Sequence, residues 1–464
     1  MSQQATLQFL GAAGTVTGSR HRVRTSRGEL LLDCGLFQGL KQLRMRNWEE
    51  PPFNPAALDA VVLSHAHIDH SGYLPLLVRQ GFEGPVFCTP GTASLLSVLL
   101  PDSARLQEED AERANRRGYS KHEPALPLYT SEDALAALAL LEPRPYGRRF
   151  QAMAGGEVRL HRAGHILGSA SIELELDAPR TTLVFSGDLG RWDRPILRDP
   201  ELVPRADVLL VESTYGDRLH SPDPGEDLAR IVNESVERGG ALVIPAFAVG
   251  RTQELIWTLR ELEESGRIPS IPLFVDSPMA LAVTDFYCRH GEDHDGEMRA
   301  RMQDRSCPLC CREFFTLRTR DESRALNRLR GPLIVISASG MATGGRVLHH
   351  LQQRLPDPRT TVLLPGYQAA GTRGRALQDG ARTVRIHGRD VPVRATVETL
   401  DGLSAHADQD EILRWLEGFE RPPRETYVVH GEPSAAETLV ATIRERFGWS
   451  VQAAKDGDEV RLDP

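Results

Sequence analysis

The chain has 464 residues, 40% hydrophobic and 26% charged, with a formal net charge of −9. That length and balance fit a soluble chain of one large or two to three ordinary domains, and exclude a disordered or fibrous one. The apolar runs are too short to span a bilayer, and the N-terminus shows no charged leader before an apolar core, so a cytoplasmic protein with no membrane partner is expected.

In chain order, the first two hundred residues alternate short apolar strands with glycine turns, at 6–10, 30–33, 60–64, 86–89, 172–176, 182–186 and 208–212. Helical patterns lie at 72–79 and 131–141, and the polar stretch 115–128, with two prolines, reads as a loop. From about residue 217 strands and helices alternate strictly. Helices near 227–238 and 252–264 precede strands at 241–244 and 272–275, and a strand at 333–337 leads into Gly344-Gly345 and a helix. Buried strands separated by amphipathic helices predict a parallel, helix-covered sheet. After about residue 395 come a strand, a helix at 408–415, a strand ending at Val429 and a last helix. The order fits one α/β layer inserted into another α/β domain.

The six cysteines form no disulfide framework. Cys307-Pro308-Leu309-Cys310-Cys311 contains a lone C-x-x-C, which lacks the second pair that a structural zinc needs, and reads as a turn. Charge is uneven. Residues 312–394 hold fifteen arginines and no lysine against six acidic residues, a local excess of positive charge inside an acidic chain. Clustered cations of this kind are what phosphate backbones require.

The chemistry concentrates in Ser64-His65-Ala66-His67-Ile68-Asp69-His70, between an apolar strand and a helix. His65 and His67 are two apart, so on an extended backbone they project to one side. Asp69 and His70 fall where the chain turns, and can face a neighbouring point. One segment thus offers two ligands to each of two adjacent ions. Neutral imidazole with carboxylate suits zinc. Further ligands are expected from His165 in Gly-His-Ile-Leu-Gly, Asp188 in Ser-Gly-Asp-Leu-Gly and His430 in Val-Val-His-Gly-Glu, each near a glycine that permits close approach.

With these motifs in order, the sequence resembles the metallo-β-lactamase fold in its β-CASP branch of nucleic-acid-processing nucleases. Asp33 in Leu-Leu-Asp-Cys-Gly resembles the first motif, residues 65–70 the signature HxHxDH, and His165 and Asp188 the third and fourth motifs. Glu212, His406 and His430 resemble motifs A, B and C of the branch. The resemblance implies an αββα sandwich in two parts, 1–212 and 391–464, with an inserted β-CASP α/β domain at 213–390 that closes over the site and grips single strands. It implies two Zn2+, one held by His65, His67 and His165, the other by Asp69, His70 and His430, with Asp188 bridging. Asp33 would orient ligands from behind, and Glu212 would orient and charge His406 as a general acid. Asp69, His406, Glu212 and Asp33 are thus the residues expected to serve catalysis.

In the inserted layer, Ser337, Ser339, Gly340, Thr343, Gly344 and Arg346 follow a buried strand and open a helix, an arrangement of hydroxyls and amides that predicts a phosphate cradle. Arg373 and Arg375, in a second glycine-rich segment, are expected to meet backbone phosphates.

Three functions are weighed. The first is a zinc-dependent ribonuclease acting on single-stranded RNA, favoured by histidine at motif C, since DNA-processing relatives tend to carry an aliphatic residue there. The chain stops soon after the fold closes, which leans toward endonucleolytic cutting, and dimers in the resembled family point to self-association. The second is a hydrolase of DNA or small esters, which for esters leaves the insertion, Glu212 and His406 without a purpose. The third is a non-catalytic RNA-binding scaffold, disfavoured because every ligand position is filled.

Overall fold

The computed structural model describes residues 5–118, 120–221, 224–303, 308–369 and 371–463. The chain forms two compact units. The first comprises Met1–Arg194, Arg198–Leu219 and His406–Pro464, and the second Pro195–Leu197 and His220–Ala405.

Two seven-stranded sheets build the first unit. One runs in the order Glu459–Arg461, Thr6–Phe9, His21–Arg24, Glu29–Leu32, Ala60–Val62, Val86–Cys88 and Leu141–Pro143. The other runs Val451–Ala453, Glu425–Val429, Val208–Glu212, Arg180–Phe185, Ala170–Asp177, Gly156–Arg162 and Phe150–Met153. The two-residue period of a strand sorts side chains between layers. Val208 and Leu210 join Leu7, Phe9, Leu30, Leu32, Val62, Ile172, Leu174 and Phe185 in the core shared by the sheets. Leu209 and Val211, one residue out of phase, pack instead with Ile412, Trp415 and Leu439 of helices Gln409–Leu416 and Pro433–Phe447. The result is the αββα sandwich that the sequence resemblance implied. The outer helix Pro90–Arg117, capped where the Thr89 hydroxyl accepts from the Thr92 amide, was not anticipated, and it shortens the expected loop at 115–128.

Parallel pairing carries the site. Glu29–Leu32 runs parallel to Ala60–Val62, and Val208–Glu212 runs parallel to both Arg180–Phe185 and Glu425–Val429. Asp33, the 64–70 segment, Asp188, Glu212 and His430 all lie at or just beyond the carboxyl ends of these strands, where open parallel sheets present their ligand-binding loops.

The second unit holds a six-stranded sheet in the order Phe314–Thr316, Leu273–Val275, Leu333–Ser337, Ala241–Pro245, Thr361–Leu364 and Thr396–Thr399, every pair parallel. This is the parallel, helix-covered sheet expected from the alternating pattern. Its boundaries differ from the expected 213 and 390. The strand Thr396–Thr399 hydrogen-bonds to Thr361–Leu364, so the unit runs on to Ala405, and its main segment begins at His220. Cys307 lies outside the described residues. Cys310 and Cys311 follow a turn at 308–309, and burial pushes the Cys311 thiol up to about 12, which disfavours a thiolate ligand there.

Candidate active site

The histidine-rich segment is clamped from behind by the 33–36 turn. The Cys34 amide donates to the His70 carbonyl at 2.7 Å, the Leu36 amide to the Ile68 carbonyl at 2.9 Å, and the Ser19 amide to the Asp69 carbonyl at 2.8 Å. Gly35 permits this approach, because a Cβ there would sit 1.6 Å from the Asp69 carbonyl oxygen. Asp33 is fully buried and takes four hydrogen bonds or contacts. They come from Ser19 Oγ at 3.0 Å, the Ser64 amide at 2.7 Å, Ser64 Oγ at 2.9 Å and His70 Nδ1 at 2.6 Å. Its contact with Nδ1 turns His70 Nε2 toward the centre of the site. Short helix Ile68–Ser71 carries Asp69 and His70, so the chain does turn where the sequence placed the turn.

Two donor clusters result. In the first, His67 Nδ1 lies 3.1 Å from His65 Nε2 and 3.2 Å from His165 Nε2, and Asp188 Oδ2 lies 3.4 Å from His65 Nε2 and 3.6 Å from His165 Nε2. In the second, His70 Nε2 and His430 Nε2 are 3.0 Å apart, with Asp69 Oδ2 3.6 Å from His430 Nε2. Asp188 reaches both, because its other oxygen, Oδ1, is 3.3 Å from His70 Nε2. The seven residues expected as ligands are thus brought together.

These contacts do not make a satisfied hydrogen-bond network. Three imidazole nitrogens converge on one point in the first cluster, and a proton on one can serve only one of the others. Asp188 Oδ1 is buried with no hydrogen-bond partner, a costly state for a carboxylate oxygen. A cation at each convergence point resolves both problems, so the donor set fits metal binding.

The buried carboxylates make this a site that favours positive charge. Burial holds His65 well below its ordinary range and His67 at about 4, leaving both neutral and able to donate lone pairs. Burial alone would also depress His70, but Asp188 and Asp33 outweigh it and raise the ring well above its ordinary value. Burial would raise Asp188, yet the rings of His430, His70 and His65 hold it well below the carboxylate range.

Beside the clusters stands a carboxylate–imidazole pair. Glu212 is fully buried and accepts from the Leu189 amide at 2.7 Å, and both its oxygens lie 3.2 Å from His406 Nδ1. The His406 ring centroid is 4.4 Å from that of His165. Burial depresses His406, but the charges of Glu212 and Asp188 override it and raise the group to about 9. Thr214, not anticipated from sequence, places its hydroxyl 3.1 Å from His430 Nδ1 and so orients that ring. Its only sequence signal is its position two residues beyond Glu212. Ser64 and Ser19 were missed likewise.

In the second unit the expected cradle residues meet, but several are committed internally. Ser337 donates to the Asp276 carbonyl, and Ser339 Oγ accepts from the amides of Thr343 at 3.1 Å and Gly344 at 3.3 Å. Gly340 lies against the Phe247 ring, where a Cβ would come within 2.7 Å. Arg346 is held by the Asp276 carboxylate at 2.7 Å and by the carbonyls of Leu317 and Arg318. Arg373 is held by the carbonyls of Ala342, Thr343 and Arg385, and Arg375 pairs with Asp379 on the surface. Both arginines are thus engaged within the unit: the Arg346 guanidinium ties to Asp276 and the 317–318 backbone, and the Arg373 guanidinium holds the carbonyls of Ala342 and Thr343 in the 338–344 turn.

Comparison with known proteins fits this arrangement. Residues 29–233 match a beta-lactamase superfamily domain, 252–377 a Beta-Casp domain, and 390–454 a Zn-dependent metallo-hydrolase RNA specificity domain. The chain is 38% identical over 452 residues to Ribonuclease TTHA0252 of Thermus thermophilus, covering 97% of this chain and 98% of that one. It is 31% identical over 468 residues to the transcription termination factor FttA of Methanocaldococcus jannaschii, covering 98% of this chain and 71% of the other. A crystal structure of an Enterococcus faecalis protein of unknown function shares the fold at 13% identity, with a TM-score of 0.54 over 99% of this chain and 100% of that one. With a full-length relative at this identity, the chain belongs to the β-CASP family of RNA-processing nucleases built on the metallo-β-lactamase fold.

Proposed function

We propose that this protein is a zinc-dependent ribonuclease that hydrolyses phosphodiester bonds of single-stranded RNA, cutting internally. The observation that carries the reading is the pair of donor clusters sharing Asp188 beside a Glu212–His406 pair. One Zn2+ would be held by His65, His67 and His165, the other by Asp69, His70 and His430, and Asp188 would serve both. Such a pair of ions supplies Lewis acidity toward phosphate oxygens and lowers the pKa of water in the site.

The chain's own residues do the rest. Asp33 and Thr214 fix the rings of His70 and His430, so the donors are in place before substrate arrives. Glu212 holds Nδ1 of His406, which leaves Nε2 as the nitrogen that passes a proton to the departing sugar oxygen. A value near 9 keeps His406 protonated at neutral pH, and cations in the neighbouring clusters would lower it toward the working range. Ser339, Thr343 and Arg375 are the residues of the second unit proposed to meet backbone phosphates. Self-association is proposed with them, and sedimentation velocity tests it.

The test is cleavage of a labelled single-stranded RNA and its DNA counterpart by the wild type, His65→Ala and His406→Ala, with zinc counted by elemental analysis. We expect RNA to be cut by the wild type only, and zinc to be lost only by His65→Ala. Cleavage of DNA but not RNA, or intact RNA with zinc fully bound, overturns the substrate assignment.

A further inference from the structure

The second unit has another feature that the proposed reaction does not use. At the amino ends of strands Ala241–Pro245, Leu333–Ser337 and Thr361–Leu364, the edge opposite the 338–344 turn, lies a cavity of about 280 Å³. Its floor is built by backbone packed on backbone. A Cβ at Gly240 would lie 1.8 Å from the Arg359 carbonyl oxygen, and one at Gly331 would lie 2.0 Å from that of Gly240.

Four arginines line it, Arg328, Arg330, Arg354 and Arg359, against one carboxylate, Asp357. That carboxylate is already engaged by Arg359, through Nε at 3.1 Å and Nη2 at 2.7 Å. Arg354 is 8% exposed. Its Nη2 caps the carbonyls of Leu326 at 2.9 Å and Leu329 at 3.2 Å, while its buried Nε has no hydrogen-bond partner. Arg328 and Arg330 form no ion pair among the described residues. Burial lowers the Arg354 pKa, and Asp357 is the one charge that opposes this.

Four guanidinium groups share one carboxylate, Asp357, at this cavity, and a buried guanidinium with an unsatisfied donor is costly. A bare helix-capping role accounts for Arg354 Nη2 but not for its Nε, nor for Arg328 and Arg330 beside it. An anion in the cavity gives the three side chains a shared counter-charge. Arginine forks match the oxygens of a phosphate group, and the cavity is of the size that admits one with part of its substituent. It also absorbs part of the arginine excess between residues 312 and 394.

We propose that this cavity is a second anion site that binds a phosphate group, gripped by Arg328, Arg330 and Arg354. The phosphate comes either from a free phosphate or from the backbone of a bound RNA. The variant of choice is Arg328→Ala/Arg330→Ala, because both side chains are exposed and neither belongs to the core or to the proposed catalytic set. Full-length wild type and variant are titrated calorimetrically with inorganic phosphate at constant ionic strength. A 20-nucleotide single-stranded RNA is titrated in chelator by fluorescence anisotropy, with circular dichroism confirming the fold.

Free phosphate as the source predicts at least about tenfold weaker phosphate binding in the variant, with RNA affinity unchanged. RNA as the source predicts weaker RNA binding, with the salt slope reduced by about 1.4 for two lost contacts. No change in either arm overturns the site. Cleavage of a short RNA by the double variant is expected to match the wild type, and the phosphate arm does not depend on the ribonuclease reading.

Discussion

Asp33 adopts a left-handed backbone conformation, φ 59°, which aspartate tolerates better than most side chains. That geometry aims one carboxylate at Ser19, Ser64 and His70 together. Asp33→Asn keeps the shape but removes the charge that fixes the His70 ring. We expect affinity for the metal at the Asp69–His70–His430 cluster to fall about 10–100-fold, read by competition with a chromophoric chelator. Unchanged affinity would show that Ser64 alone positions the ring. Glu212→Gln tests the other carboxylate. Its partner His406 is the proposed proton donor, so kcat should drop by about 10²–10⁴ while the zinc content stays that of the wild type. Zinc loss in this variant would make Glu212 part of the donor set instead. At this scale the histidines and aspartates were legible, because metal donors are few residue types at tell-tale spacings. Ser19, Ser64 and Thr214 were not, since a serine or threonine hydroxyl carries no signature until the fold sets a ring nitrogen beside it.

At the scale of elements, the strands were legible from apolar runs and the site from its place at their ends. The lateral clamp of the 33–36 turn on residues 68–70 was not, because it consists of backbone hydrogen bonds. Gly35 is its one visible trace. Gly35→Ala forces a methyl into the Asp69 carbonyl, so the segment must shift. We expect loss of metal and a destabilisation of about 2–4 kcal/mol in denaturant melts, in line with overpacking against rigid backbone. A stable, metal-replete variant would show that the segment has slack.

The second unit hides a comparable hub. Asp276 is fully buried and takes hydrogen bonds from Ser323 Oγ at 2.5 Å, Arg346 Nη1 at 2.7 Å and, across a 2.7 Å contact, His350 Nε2. Burial would raise its pKa, but bonds from His350, Ser323 and Arg346 outweigh it and lower it. A carboxyl depressed in the folded state stabilises above its unfolded pKa, near 4, and loses that contribution as pH falls through the folded value. Asp276→Asn should therefore cost about 3–5 kcal/mol at pH 7, with the gap from wild type narrowing as pH drops below 4. A gap independent of pH would mean that the charge is not what the hub uses. No sequence pattern joins residues 276, 323, 346 and 350. They meet only because strands adjacent in the sheet are distant in the chain. Arg346 was accordingly read as part of the cradle with no sign of its bond to Asp276.

For the whole molecule, the proposed metal donors come from segments far apart in sequence, with His70 and His430 separated by 360 residues, and all of them lie in the first unit. A ligand that binds only the folded state stabilises it by mass action, about 4 kcal/mol at a thousand times its Kd. Zinc should therefore act as a cross-link of the first unit, joining the N-terminal sheet to the strand Glu425–Val429. The second unit has its own cores and contains none of the proposed zinc ligands. Differential scanning calorimetry is expected to resolve two transitions. Chelation should move one of them downward by roughly 5–10 °C and leave the other in place. Asp276→Asn identifies the second, since it should move the transition that chelation does not. If chelation and Asp276→Asn shift one common transition, the two units unfold as a single block, and the metal centre stabilises the whole chain.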